Sequence, residues 1–276
     1  MTGAADELVV TQPSISAAIA ALSREVGVPL TERVGRTIRT SPAGETFMPY
    51  AADVIGLLEQ GRLAAQEVAG ATERQVRIAA VTTAAEHIVP PLMQEFAALH
   101  PDVELTLEVG NRDLVFARVA DHTADAAIGG RPPEDGRLAG AAFMANEIVL
   151  IAPPNDPLSG GRRVPLRELG DRVWLLREEG SGTRVMTEGF LRNHELHPRK
   201  LTLGSNGAIK QATRAGLGVS LQARAAVALE LAAGQLSELD VDVELPHREW
   251  FILRSAVGSV RPAVSAFIEF VEGSAG

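Results

Sequence analysis

The residues of this chain that could do chemistry stand in short polar openings between apolar segments. Thr82-Thr83 follows the apolar run Val76–Val81. Gly180-Ser181-Gly182-Thr183-Arg184 follows Val173–Leu176, and Ser205-Asn206 follows Leu201–Leu203. In open α/β sheets, ligands bind beyond the carboxyl ends of strands, beside helix starts. Hydroxyls, free backbone N–H groups and a guanidinium there suit a carboxylate or a phosphate. The glycines at 180 and 182 would let backbone approach a ligand closely. Gly129-Gly130-Arg131 ends a further apolar run and reads as a cleft edge or crossover. Ordinary capping explains Thr82, Thr83, Thr183 and Ser205 equally well when each is taken singly. The candidate ligand contacts are Thr82, Thr83, Gly130, Ser181, Gly182, Thr183, Arg184 and Asn206.

No catalytic pattern competes with this reading. The GSGT loop lacks the G-x-x-x-x-G-K-[ST] of a phosphate-binding loop. There is no H-E-x-x-H and no G-x-S-x-G. His194 and His197 flank Glu195 before Pro198, which reads as a surface turn rather than a metal site. The chain has no cysteine, which excludes disulfides and thiolate sites and suits a reducing cytoplasm. We therefore expect neither an enzyme nor a resident metal or cofactor.

The second chemical signal lies near the N-terminus. Ile15, Ile19, Leu22 and Val26 recur at helical spacing from Pro13 onward. Thr11 can cap that helix and Gly27 can end it. Its first turn is small and polar, as a helix entering a DNA major groove requires. Arg33, Arg36 and Arg39 follow, with Gly35 and the β-branched Thr37, Ile38 and Thr40 among them. That composition predicts a short basic hairpin able to grip phosphates. We read residues 8–47 as the second half of a helix-turn-helix followed by a wing. An amphipathic surface helix and a solvated loop are the plainer alternatives.

The remaining chain must position these groups. Phe47, Ala51, Val54, Leu58, Gly61, Ala65 and Val68 alternate by fours and threes within a helix over 42–70. A period of 3.5 marks a two-helix seam. From residue 76, strands alternate with helices, which implies a largely parallel sheet. Strands are expected at Val103–Val109, Ala124–Gly129, Glu147–Ala152, Gly218–Leu221 and Trp250–Arg254. Helices are expected at Glu86–Leu99, Leu114–Val119, Ala223–Ala233 and Pro262–Val271. A length of 276 residues suits two or three domains, and 46% hydrophobic with 22% charged residues suits folded ones. The net charge of −9 argues against coating nucleic acid but leaves room for a local basic surface. MTGAADELVV is not a secretory signal, and no stretch has the apolar length of a membrane span.

Residues 5–47 resemble the LysR-type transcriptional regulators. The resemblance rests on Thr11-Gln12-Pro13-Ser14-Ile15-Ser16, Ile19, Leu22, Glu25-Val26-Gly27-Val28-Pro29-Leu30, Glu32-Arg33 and Ser41-Pro42-Ala43-Gly44-Glu45. It continues through the chain. Ser205 to Ala212, with GSGT before Arg184, resembles the subgroup that includes activators of carbon-fixation operons. In two places the chain departs from the family: a fuller first helix is expected where it has MTGAADEL, and Thr31 stands where a bulky apolar residue is usual.

The resemblance implies a truncated winged helix-turn-helix over 1–44 and a dimerisation linker helix over 45–72. It implies an effector domain over 76–276 with two periplasmic-binding-protein-like α/β lobes, lobe one near 76–151 and 255–276, lobe two near 152–254. DNA contacts would come from Thr11, Gln12, Ser14, Ser16, Arg33, Arg36 and Arg39, with Gln12 and Ser14 at base edges and the arginines on phosphates. The implied partners are double-stranded promoter DNA, a small anionic effector between the lobes, a second copy or four copies of the chain, and RNA polymerase, in the cytoplasm and without a membrane. A second reading stays open at this point: a small-molecule sensor whose truncated head binds no DNA.

Overall fold

The computed structural model describes residues 2–35, 37–70, 74–161 and 163–274. They form two units, Met1–Glu59 and Gln60–Gly276.

The first unit begins with a helix that the sequence reading left out, α1 (Thr2–Glu7). The turn after it is closed by Leu8 N–H donating to Ala4 O and Val10 N–H to Ala5 O. Helix α2 (Gln12–Val26) has the ends expected of it. Thr11 Oγ1 accepts from Ser14 N at 3.4 Å. Gly27 takes φ +84°, and its N–H donates to Ser23 O. No residue of α2 is buried. The basic hairpin forms as β1 (Thr31–Val34) and β2 (Thr37–Thr40), antiparallel. Its register sets Arg39 opposite Glu32 and Arg33 opposite Ile38. Arg36 lies outside the described residues. Ser41 then donates to Pro29 O at 2.7 Å and accepts from Gly44 N at 3.0 Å, which starts α3 (Pro42–Val68). Along α3 the predicted seam is open: Val54, Leu58 and Val68 are all largely exposed.

The second unit holds the α/β lobes. Its elements run β3 (Arg74–Val81), α4 (Thr82–His87), α5 (Val89–Leu99), β4 (Val103–Gly110), α6 (Arg112–Ala120), β5 (Ala126–Gly129), β6 (Leu138–Ala145) and β7 (Ile148–Ala152). They continue with β8 (Trp174–Arg177), α7 (Gly182–Asn193), β9 (Lys200–Leu203), α8 (Asn206–Arg214), β10 (Ser220–Ala223), α9 (Arg224–Ala232), β11 (Ser237–Leu239), β12 (Glu249–Ser255) and α10 (Pro262–Gly273). Where one helix was expected over Glu86–Leu99 there are two. Pro90 cannot donate a helical hydrogen bond, so it sits in the first turn of α5 and the chain breaks at Ile88.

Lobe one is a five-stranded sheet in the order β4-β3-β5-β12-β6. The period-2 alternation of β3 divides its core. Val76, Ile78 and Ala80 face Val89, Phe96 and Phe267 on α5 and α10, while Ala79 faces Val115, Phe116 and Val119 on α6. Lobe two is built the same way on β7 and β8. Leu150 and Leu176 pack with Phe190 and Leu191 of α7, and Val149, Ile151 and Leu175 pack with Ile209 of α8 and Val227 of α9.

The structure corrects two expectations. The sheets are mixed, because β12 runs antiparallel to β5 and β6, and β10 and β11 run antiparallel to β7. The lobe boundaries also move: β7 belongs to lobe two, and β12, near the expected boundary at 254 and readable as a strand returning to lobe one, pairs there with β5 and β6.

A buried polar network joins the end of α3 to lobe one. Arg261 pairs with Glu67 and, at 2.8 Å, with Asp125. Its Nε donates to Gln60 Oε1 at 2.9 Å, and Arg77 closes on Asp125 at 2.8 Å. Burial pulls the Arg261 guanidinium below the usual arginine range.

Candidate effector cleft and DNA-binding head

The two lobes are joined by two crossover connections, Ala145–Ile148 and the stretch that carries Asp242 to Glu249. Arg248 O accepts from Asn146 N at 2.9 Å and ties one crossover to the other. Between the lobes lies a small cavity of about 40 Å³, lined by strand ends and helix starts from both sides.

From lobe one come Val81, Thr82, Thr83, Gly110, Asn111, Arg112 and Gly130; from lobe two come Arg177, Ser181, Gly182 and Thr183. The expected Thr82, Thr83, Gly130, Ser181, Gly182 and Thr183 are thus brought together. Ser181 begins α7, yet its side chain caps nothing, and it lines the cavity at only 5% exposure. Thr82 and Thr83 likewise are not caps, because Val81 holds that position in α4. Gly180 takes φ +79°, and a Cβ there would come within 2.7 Å of Asn111 Nδ2 across the cleft. The left-handed backbone there favours glycine, and a Cβ would make the Asn111 amide shift.

Two expected residues have other work. Arg184 pairs with Glu188, at 3.0 Å, and donates to Arg177 O, and it is not among the residues that line the cavity. The i,i+4 carboxylate on its own helix holds it there. Asn206 stands behind the lining and bridges the lobes. Its Nδ2 donates to Thr83 Oγ1 at 2.9 Å, and its Oδ1 accepts from Arg177 Nη1. Ser205 is the cap of α8, accepting from Ala208 N, so the capping alternative holds for that residue.

Sequence reasoning missed the cations that dominate the cavity. Arg177 is neutralised by Glu178 at 2.7 Å. Arg112 and Arg248 are not so served. Among the described residues, the carboxylate in range of Arg112 is the exposed Asp113 at 3.9 Å. Arg248 donates to Gly182 O at 3.5 Å and, among the described residues, has no carboxylate partner. Burial pulls the Arg248 guanidinium below the usual arginine range, and the charge of Arg112 adds to the effect. An anion would supply the counter-charge. Arg112 was findable, since it follows Gly110-Asn111 at the end of β4 as the other lining residues follow their strands. Arg248 precedes its strand, so the rule that found the others could not reach it.

In the first unit, Thr11, Gln12 and Ser14 stand exposed on the first turn of α2, and Ser16 is half-buried. Thr11 Oγ1 and Ser14 Oγ lie 2.8 Å apart. Arg33 and Arg39 are exposed on the hairpin, with Arg33 Nε donating to Gly35 O. Small polar groups at a helix start and a basic hairpin fit a duplex groove and its phosphates. Among the described residues, no helix is long and apolar enough to cross a membrane.

A helix-turn-helix head, a long helix and a two-lobed domain around a cationic cavity define a ligand-responsive DNA-binding regulator. Comparison with known proteins gives the family. Residues 1–45 match the bacterial regulatory helix-turn-helix protein model of the lysR family, and residues 69–275 match the LysR substrate binding domain. The HTH-type transcriptional regulator CfxR of Cupriavidus necator is 34% identical over 94% of this chain and 82% of its own length. A RuBisCO operon transcriptional regulator of Allochromatium vinosum is 33% identical over 98% and 89%. The regulatory domain of Synechocystis CcmR, solved in complex with 2-PG, superposes with a TM-score of 0.68 at 32% identity, covering 73% of this chain and 97% of that one. A full-length OxyR variant from Pseudomonas aeruginosa shares the fold at 22% identity over 99% of this chain and 88% of its own, with a TM-score of 0.68. The chain belongs to the LysR family of transcriptional regulators. It is a regulator that binds DNA and a small-molecule effector, and not an enzyme. The reading as a sensor without DNA binding gains no support, since the head itself matches the helix-turn-helix model.

Proposed function

We propose that the effector is a small anion, of the phosphate-ester or carboxylate class, bound in the interlobe cavity. The observation that carries this is Arg248, which lines the cavity beside Arg112 with no carboxylate among the described residues to neutralise it. Ser181, Thr183, Thr82 and Thr83 supply hydroxyls, and the α7 start supplies N–H groups. That CcmR was solved with 2-PG, a ligand named on a related regulatory domain, agrees with this class. The Asn206–Thr83 hydrogen bond already spans the two lobes behind the cavity. The effector then works by population shift between lobe arrangements.

DNA is engaged by Gln12 and Ser14 at base edges, with Thr11 and Ser16 beside them and Arg33, Arg36 and Arg39 on phosphates. The open face of α3, with Val54 and Leu58, pairs two copies, and two such pairs make a tetramer. RNA polymerase is the partner at the promoter, and the cytoplasm is the place of action. The match to regulators named for the RuBisCO operon suggests a target among carbon-assimilation genes.

The test is a mobility shift on the adjacent intergenic DNA with and without 2-PG. The wild-type complex is expected to change mobility or affinity on adding the ligand. Thr83→Ala and Thr183→Ala are each expected to raise the ligand concentration needed by about ten-fold, the worth of one hydrogen bond to a charged group. A normal response in both variants would place the ligand elsewhere.

A further inference from the structure

Arg248 differs from every other cleft residue in where its backbone stands. It belongs to neither lobe but to a crossover, and its carbonyl oxygen is tied to the other crossover through Asn146 N. Its side chain reaches both lobes. A Cβ on Gly130 of lobe one would come within 2.7 Å of Arg248 Nη2, and one on Gly182 of lobe two within 3.5 Å. The same Gly182 position lies 3.5 Å from Arg112 Cδ. Arg112 and Arg248 therefore flank the same glycine, and both also line a wider outer pocket of about 570 Å³ that includes Arg131, Met186, Phe190 and Phe251. The pair is common to the outer pocket and the inner cavity.

Two like charges against a low-dielectric wall repel, and here the repulsion acts between lobe one and the crossover. We propose that Arg248 is the residue through which the effector's charge sets the lobe arrangement, and that the Arg112–Arg248 pair selects a doubly charged group over a singly charged one. A monoanion cancels one guanidinium and leaves the other uncompensated. A dianion cancels both and removes the repulsion between lobe one and the crossover. Because the Arg248 backbone is itself the crossover, the change is delivered where the lobes pivot. This rests on the cavity being the effector site, as proposed above.

The chain contains no cysteine, so probes can be placed at will. Gln94→Cys in lobe one and Gln211→Cys in lobe two, both exposed, carry spin labels whose separation reads the lobe arrangement. The full chain is titrated with sulfate and with nitrate at constant ionic strength. In the wild-type background sulfate is expected to shift the separation, and nitrate is not. In Arg248→Gln the ligand-free separation moves toward the sulfate-bound value, and the preference for sulfate over nitrate falls by about ten-fold or more. Arg248→Lys, which keeps the charge, keeps the wild-type ligand-free separation. Melting curves of both variants establish that they are folded, and the lysine variant carries the test if the glutamine one is not. If Arg248→Gln matches the wild type in separation and in preference, this inference falls alone. If neither sulfate nor 2-PG binds the wild type, the cleft reading falls with it.

Discussion

The two units of this protein are each ordered by a different means. In Met1–Glu59 the buried apolar residues, among those described, are Ala5 and Leu30. In Gln60–Gly276 four buried clusters sit on the sheet faces, with Trp174, Phe96 and Phe267 fully enclosed. The first unit is ordered by local devices: the Thr11 cap, the left-handed Gly27, the hairpin register and the Ser41 start of α3. Its side chains stay outside, where DNA and a second copy can meet them. The second unit is ordered by non-local packing, and its functional groups are inside. A surface reader can dispense with a large core of its own when its partners bury what it exposes. A ligand cavity needs rigid walls on every side, and only a core supplies them.

The largest expected effect falls on the second unit. Asp125→Ala leaves Arg261 buried with half its counter-charge gone and strips Arg77 of its partner. It should cost about 3–5 kcal/mol, the range for breaking a buried ion pair. The thermal transition of the second unit should drop sharply in calorimetry. An unchanged transition would mean that the network is ornamental and that packing alone ties the end of α3 to lobe one.

A middle-sized effect tests the opposite arrangement in α3. Leu58 is 77% exposed, so Leu58→Glu should leave the isolated chain's stability nearly unaltered. It should weaken self-association by roughly 3 kcal/mol per pair, about a hundred-fold in Kd, because two leucines lose their burial. Sedimentation velocity across a concentration series reads this directly. If the assembly is untouched, the open seam is not the pairing surface. The smallest effect is in the hairpin. Arg33→Ala should lower the slope of log affinity against log salt by about 0.9, one phosphate contact, with sequence preference retained. Binding measured at several salt concentrations on specific and unrelated duplexes separates that outcome from a loss of base reading.

Much of this molecule was legible because its signals are local. Helix α2 needed only Thr11, Pro13, an apolar stripe and Gly27, all within one segment, and the structure places its ends where those residues predict. The arginine hairpin was legible from Gly35 and its β-branched flanks. The loop Gly180 to Thr183 was legible because chain geometry puts strand-end loops at the cleft. Strand β6 was not, since Leu138–Ala145 is mostly alanine and glycine and carries no alternation to read. The membership of β7 in lobe two was not either. A strand's lobe is decided by which edge it pairs with, and pairing is not written in its own residues. Arg184 looked like a ligand contact from its neighbours, but Glu188, one helical turn on, had the prior claim.

By itself, then, the chain's sequence determined its local elements, its family and the places where polar loops would open. Tertiary structure alone decided that Arg112, from lobe one, and Arg248, from a crossover, meet beside Gly182 with no described acid between them. Periodicity and capping act over a few residues, so a linear reading recovers them. The balance of charge in a cavity depends on which distant groups share the same low-dielectric space, and only folding brings them there.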